Sequence, residues 1–582
     1  MSGKQATSKI PQKSTAKLTL VEKNQSKQHE KVVKLMKKAA ALMNEAELSK
    51  AKKKLNVALK LEPENFDCLQ MMALIYQHEN NPEMSFSYYE KAMLAFNPDY
   101  IHPRSYLKVL LNAGQLAADM ERTEEAEAFY TAVLELDMTN TLALSKRARL
   151  YTETGQLEKA YADYKSVIFF PDREEYSPLG LRFSAHTSIM QSTHIKPDEN
   201  DIEMLKKDIE QCNNDHHKVK YEFALGFGLE KLDRYDEAFE AFKRANDQKR
   251  KRISFSRKQN KQSAKRITEV FTKDNIARFQ EVADEEFRPI FVLGLPRSGT
   301  TVTESLLGAH PEVNPAGELT LISDIALKMA ALNDDKLYPQ QFLDVSKSFI
   351  KSQVRYYKEN TAQYLTNGAT TFVDKMPGNF MNIGIILTLF PNARIIHLYK
   401  NPMDACISLF RQHFANGHNY CYNLGDLGAY YQSFRQIMAH YNKEFPDKIY
   451  NVSYEHFVEN INEEAPKMFE FCDLEWNDEY LSFYKSKRRV KTASVQQVRK
   501  GIYTSAVERW RKYDNGDNLI ILKKALAPFM GEHIREEVAE FDLRTQQELE
   551  RANQLSDVKS FDIQIDGVNK PQVIAQDSNK KS

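Results

Sequence analysis

The stretch FVLGLPRSGTT at residues 291–301 has the residue types of an anion-binding loop. Gly294 and Gly299 keep the glycine spacing of a nucleotide phosphate loop. Thr300, however, stands where such a loop places the lysine that holds β- and γ-phosphates. The two glycines let backbone amides turn inward, and a helix opening just behind them adds positive potential, so together they make an anion nest. Arg297, Ser298, Thr300 and Thr301 add side-chain donors suited to a single phosphoryl group. No downstream strand supplies a convincing metal-binding aspartate, since Asp374 closes one but Lys375 follows it directly. The pattern predicts a loop for a 5′-phosphoryl group that carries something other than more phosphate.

Such a loop works at the carboxyl end of a parallel strand, against a helix N-terminus. PIFVLGL reads as a buried strand and TTVTESLLGAH as the helix behind the loop. TFVDK and ARIIHLYK read as further buried strands, each followed by a helix, NFMNIGIILTLF and then PMDACISLFRQHF. This alternation predicts an α/β domain with a parallel sheet and helices on both faces. We place that domain at residues 286–540, with a polar tail over 541–582.

The front half has a different texture. A small residue, an aromatic or Leu four later, and Ala or Val three after that recur along the chain. The steps are Ala51/Leu55/Ala58, Ser85/Tyr89/Ala92, Ala126/Tyr130/Val133, Ala160/Tyr164/Val167 and Ala238/Phe242/Ala245. Two of the intervals are 34 residues (85 − 51 and 160 − 126), and the last leaves room for one irregular unit near 177–213. This resembles tetratricopeptide repeats, which share the period and the small-to-aromatic step. It implies an all-α solenoid over residues 30–250, after a disordered tail over 1–29. Such solenoids present a concave face to proteins or peptides, so the array is expected either to hold a protein acceptor or partner or to scaffold the second domain. Between the halves, residues 243–266 hold 11 Lys or Arg among 24, and we expect a basic connecting helix over 251–285.

Bulk composition excludes several classes. Lys+Arg 81 against Asp+Glu 80 leaves a formal charge of +1, so no global bias toward nucleic acid appears. The five cysteines are scattered and odd in number, which argues against a disulfide framework or a structural zinc site. No secretory signal or membrane-length apolar run is present, so a cytoplasmic protein is expected. The oligomeric state is not legible.

PRSGTT also resembles the 5′-phosphosulfate loop of sulfotransferases that use 3′-phosphoadenosine 5′-phosphosulfate (PAPS). The likeness covers roughly residues 286–515 and is strongest to the tyrosylprotein sulfotransferases and to bacterial sulfotransferases carrying tetratricopeptide repeats. It rests on further motifs in the expected order. In YKNPMDACISLF, the strand-end Lys400 stands where the family has an arginine, and Ser408 matches a serine eight residues later (408 − 400). The resemblance implies that both bind the donor's 3′-phosphate, with Arg411 able to add a fork from the same helix. In TASVQQVRKGIYTSAVERWRKY, Ser494 matches a serine at the sulfuryl region and Arg509 a basic residue over the 3′-phosphate. Arg499 and Lys500 are further candidates for that phosphate, and Tyr454 in VSYEHF matches a donor-binding tyrosine.

The resemblance also implies the reacting groups. In AGELTLI, Glu318 lies 21 residues after Arg297 (318 − 297), the family's interval to its general base. In VDKMPGNF, Lys375 lies 25 residues before Lys400 (400 − 375), matching the lysine that supports the departing oxygen, a task Arg297 and Ser494 would share. No metal is required, because these basic groups do the neutralising. Beside these, Asp374 would hold Lys375, and the loop residue His418 either faces the acceptor or, as is usual for a lone loop histidine, is simply solvated. One departure is Thr320, where tyrosylprotein sulfotransferases have an arginine that engages acidic peptide. The expected function is sulfuryl transfer from PAPS to an acceptor hydroxyl, on a protein tyrosine or on a carbohydrate or small molecule. The rivals are a repeat adaptor with an inactive catalytic half and a P-loop kinase.

Overall fold

The computed structural model describes residues 20–170, 180–192, 195–366, 368–485 and 507–561. Its contacts divide the chain into two compact units, Met1–Leu232 and Asp233–Ser582.

The described part of the first unit is helical, from Leu20–Asn44 to Asp215–Lys231. The recurring step explains how its helices pack. Every one of Ala51, Leu55, Ala58, Ser85, Tyr89, Ala92, Ala126, Tyr130, Val133, Ala160, Tyr164 and Val167 is buried. Residues three and four apart share one face of a helix, so each step forms a stripe whose small members let a neighbouring helix approach. At Gly114 the approach leaves no room for a side chain, since a Cβ there would lie 2.7 Å from the Tyr130 ring. Asn65, Asn81 and Asn140 begin three of the helices, each side-chain oxygen accepting from the backbone N–H three residues on. The irregular stretch near 177–213 holds helices Leu181–Gln191 and Glu199–Gln211.

The second unit is built on a five-stranded sheet: β1 (Ile290–Gly294), β2 (Val313–Gly317), β3 (Thr371–Lys375), β4 (Arg394–Tyr399) and β5 (Ile449–Ser453). All pairings are parallel, in the order β2-β3-β1-β4-β5. β1 is buried at every position, as a central strand covered on both faces must be. β2, read as VNPAG, carries no strand signal; its proline is tolerated because β2 is an edge strand. After β3 the chain crosses β1 and adds β4 and β5 on the other side. The carboxyl ends around β1 are therefore the place for a ligand crevice.

The helix Tyr235–Arg250 carries the last repeat-like step, yet it belongs to this second unit. Ala238, Phe242 and Ala245 are buried, Phe239 lies 5.8 Å from the Phe410 ring, and Asn246 donates to the Phe410 carbonyl at 2.8 Å. The basic run does not form one connecting helix. It breaks after Arg250 and resumes as helix Arg257–Val270, which packs on helix Leu424–Glu444. Arg250 and Arg257 converge on the buried Asp426 at 2.8 and 2.7 Å. At the far end, the chain past residue 540 continues as helix Glu532–Phe561. Among the described residues no helix is long and apolar enough to cross a membrane.

Candidate active site

The loop after β1 is shaped by its backbone. Gly294 has φ +146°, and a Cβ there would sit 2.2 Å from the Leu398 carbonyl of β4, so only glycine fits. Arg297 (φ +73°) and Gly299 (φ +97°) both adopt the left-handed region, which L side chains rarely enter. A non-glycine residue held there stores strain of the kind that gathers at ligand clamps. Helix Thr300–Leu307 starts from Gly299, and Ser298, Thr300 and Thr301 are buried at its N-terminus. A Cβ on Gly299 would come within 2.7 Å of the Tyr454 ring, so the tyrosine after β5 closes the floor of the loop.

Lys400 follows β4 and is buried, its ammonium 4.9 Å from the Tyr454 ring centre. Burial pulls its pKa below the usual lysine value; Asp404 and Glu455 oppose the shift, while Arg297 and Arg411 add to it. A desolvated ammonium among other cations gains most from an incoming anion. Helix Pro402–Phe410 begins here, capped by the Asn401 side chain, with Ser408 half-buried near its end and Arg411 just after it. Asp404 in its first turn is buried and accepts from the backbone of Glu508 at 2.7 Å and of Trp510 at 2.9 Å. Those bonds pin the start of the turn Arg509–Tyr513, and thus Arg509, to the helix that carries Ser408. Burial raises the Asp404 carboxyl pKa, and Lys400 opposes the rise. Ser494, Arg499 and Lys500 lie outside the described residues.

Glu318 and Lys375 meet at the carboxyl ends of β2 and β3. Lys375 is fully buried, and its Nζ lies 2.5 Å from Glu318 Oε1; the Glu318 side chain is 46% exposed. The β2–β3 register shifts between Pro315 and Gly317, and an irregularity of this kind re-aims the side chain that follows it. A second carboxylate, Glu304 Oε2, lies 3.9 Å from the same ammonium and is itself buried. Nothing in the sequence set Glu304 apart, since a glutamate one turn into a helix usually faces water.

Asp374 does not hold Lys375 in the way the sequence suggested. Adjacent strand residues point to opposite faces, and Asp374 accepts instead from Tyr357 Oη at 2.8 Å. Burial raises its carboxyl to about 7, the Tyr357 bond opposing and nearby Glu304 adding to the rise. His418 lies in a left-handed turn with Nδ1 3.0 Å from Tyr420 Oη. Burial lowers its pKa, and the Glu318 charge opposes this. Thr320 bonds Asp324 within its own helix at 3.1 Å. Among the described residues no group of three or more His, Cys, Asp or Glu is arranged to hold a metal ion.

The site thus presents a glycine-turned loop at a helix N-terminus, a buried lysine with half-buried arginines nearby on one side, and a carboxylate–ammonium pair on the other. Residues 289–478 match the model of a family described as the sulfotransferase family, and residues 107–140 match a tetratricopeptide repeat. An uncharacterized protein of Aquifex aeolicus (strain VF5) is 34% identical over 426 residues, covering 72% of this chain and 53% of that protein. The protein-tyrosine sulfotransferase of Drosophila melanogaster is 24% identical over 272 residues, 43% of this chain and 52% of that one. The chain therefore spans about half the length of these two relatives. Among solved structures, the sulfotransferase domain of the Synechococcus PCC 7002 olefin synthase aligns with a TM-score of 0.32 at 20% identity, over 42% of this chain and 96% of that domain.

Proposed function

We propose that this chain, a tetratricopeptide-repeat protein with a sulfotransferase-family domain, transfers a sulfuryl group from PAPS to an acceptor hydroxyl. The observation that carries the reading is the Lys375–Glu318 pair, 2.5 Å apart at the strand ends that border the left-handed phosphate loop. The loop fits a 5′-phosphosulfate, because Gly299 leaves space where any side chain would meet Tyr454, and buried hydroxyls line it. Lys400, Ser408, Arg411 and Arg509, with Arg499 and Lys500, would hold the 3′-phosphate. When bound, the donor supplies an electrophilic sulfur and a phosphate leaving group. Glu318 would take the acceptor's hydroxyl proton at a carboxylate oxygen. Lys375 and Arg297, with Ser494, would place positive charge and donors where the leaving oxygen gathers charge. Such preorganised donors are each worth about 2.7–4 kcal/mol in a transition state.

Donor binding tests this reading. The desulfated product, 3′,5′-diphosphoadenosine, is expected to raise the melting temperature without added magnesium. A ligand that binds only the native state stabilises it by about 2.7 kcal/mol at one hundred times its Kd. Ser298→Ala and Ser408→Ala should each shrink the shift. A strong shift with ATP and magnesium, and none with the diphosphoadenosine, would favour a phosphoryl-transfer enzyme instead.

For the acceptor we propose a protein tyrosine, with the repeats giving a second hold on the chain that bears it. Two weak contacts on one ligand raise avidity by about 10²–10⁴-fold when geometry permits. Residues 233–582 alone should sulfate a simple phenol near the full-chain rate, yet lose most kcat/KM toward the protein acceptor. The boundary matters here. A truncation at 270 would strip helices Tyr235–Arg250 and Arg257–Val270 from the unit they belong to. Equal losses on both acceptors would mean that the repeats only support the fold.

A further inference from the structure

Glu304 lies on helix Thr300–Leu307, one turn in from the phosphate loop, and no role assigned so far uses it. Its side chain is buried, and a carboxylate taken out of water is costly unless charges and hydrogen bonds compensate it. Two of its compensating contacts lie on different strands. One oxygen accepts from the Gly317 backbone N–H at 2.8 Å, and the other stands 3.9 Å from Lys375 Nζ. Gly317 ends β2 in the left-handed region (φ +77°), and the next residue is Glu318. One carboxylate thus grips the backbone of the residue before Glu318 and flanks the ammonium that Glu318 pairs with.

We propose that Glu304 is a positioning residue for the transfer reaction, holding Glu318 and Lys375 at fixed stations relative to the phosphate loop. The inference rests on the sulfuryl-transfer reading above. Its logic lies in the unequal exposure of the two acids around Lys375. Glu318 is 46% exposed and is the partner that an acceptor can draw away, whereas Glu304 is 9% exposed and stays. When Glu318 turns to the acceptor, Glu304 remains as the counter-charge for the buried ammonium and keeps the β2 end tied to the loop helix. Of the three groups, only Glu304 belongs to the helix that begins at the phosphate loop. It is therefore the link that carries the position of the bound 5′-phosphoryl group to the reacting pair.

Full-length Glu304→Gln and Glu304→Ala separate this role from plain packing. A glutamine oxygen still accepts from Gly317 N–H but brings no charge to Lys375, while alanine loses both links. A misplacement of about 1 Å at a reacting centre costs on the order of 10²-fold, so kcat should fall ~10²-fold in the alanine variant and roughly tenfold in the glutamine variant. KM for donor and acceptor should stay near the full-chain values in both. Hydrogen exchange at the Gly317 amide should accelerate in Glu304→Ala and stay protected in Glu304→Gln. Wild-type kcat in either variant overturns the proposal, and so does a loss that appears in KM alone; if the alanine variant fails to fold, the glutamine variant decides by the same readouts. Should the wild-type protein transfer no sulfuryl group, the functional reading fails, and unchanged Gly317 exchange in Glu304→Ala would separately overturn the clamp.

Discussion

Glu318→Gln is expected to lower turnover by about 10²–10⁴-fold, the usual span for a positioned general base. The substitution keeps the shape of the side chain and an oxygen that can still accept from Lys375, so what it removes is the proton acceptor. Because the Glu318 side chain is 46% exposed, losing its charge should change folding stability little. The Kd for 3′,5′-diphosphoadenosine, read by titration calorimetry, should match wild type, since the carboxylate serves the acceptor and not the donor. Near-normal turnover in this variant would remove Glu318 from the chemistry.

Lys375→Met is expected to fail in both respects at once. Lys375 is fully buried between two carboxylates, and deleting one member of a buried charge cluster costs about 3–5 kcal/mol, because the buried Glu304 carboxylate loses its neighbouring cation. Turnover should also collapse, as the leaving oxygen loses its cation. The double variant Lys375→Met/Glu304→Gln parts the two effects. Residues in contact are not additive, so neutralising Glu304 should recover part of the stability and none of the turnover. If denaturant unfolding shows the single variant as stable as wild type, the buried ammonium is not compensating Glu304. Comparing this pair with Glu318→Gln therefore divides the carboxylates by task, one meeting substrate and one meeting the protein.

The parts of this arrangement that were legible in the sequence share a physical cause. Gly294 and Gly299 could be read because only glycine tolerates the Leu398 carbonyl at 2.2 Å and the Tyr454 ring at 2.7 Å, and such backbone demands leave a fixed residue type. β1, β3 and β4 could be read because strands buried on both faces become unbroken apolar runs. Glu318 and Lys375 were each implied by family spacing, but their pairing has no local signature and was not foreseen. Glu304, Asp404 and the edge strand β2 were missed for a common reason: each is defined by a partner distant in sequence. Glu304 looks like any helix glutamate until Gly317 and Lys375 arrive, and Asp404 looks like a first-turn acid until the Glu508 and Trp510 amides dock on it. The step Ala238/Phe242/Ala245 misled in the opposite direction. A small-aromatic-small stripe reports that a helix face is buried, and not which unit buries it.

The strand order has a consequence for how the molecule is born. β1 must wait for neighbours made much later: Ile290 pairs with Val373 and with Arg394, 83 (373 − 290) and 104 (394 − 290) residues further along. The helices of the front half pack on the next helix in the chain, a short-range pattern that forms quickly. At a synthesis rate of roughly 5–20 residues per second, PIFVLGL spends about 5–20 s outside any sheet while the array before it is already complete. An unbroken apolar strand waiting that long is a target for chaperones and for its own copies on neighbouring ribosomes. The segment that shapes the loop after β1 is thus exposed to misassembly during translation, and the early-folding helical array is the part that leaves the ribosome ahead of it.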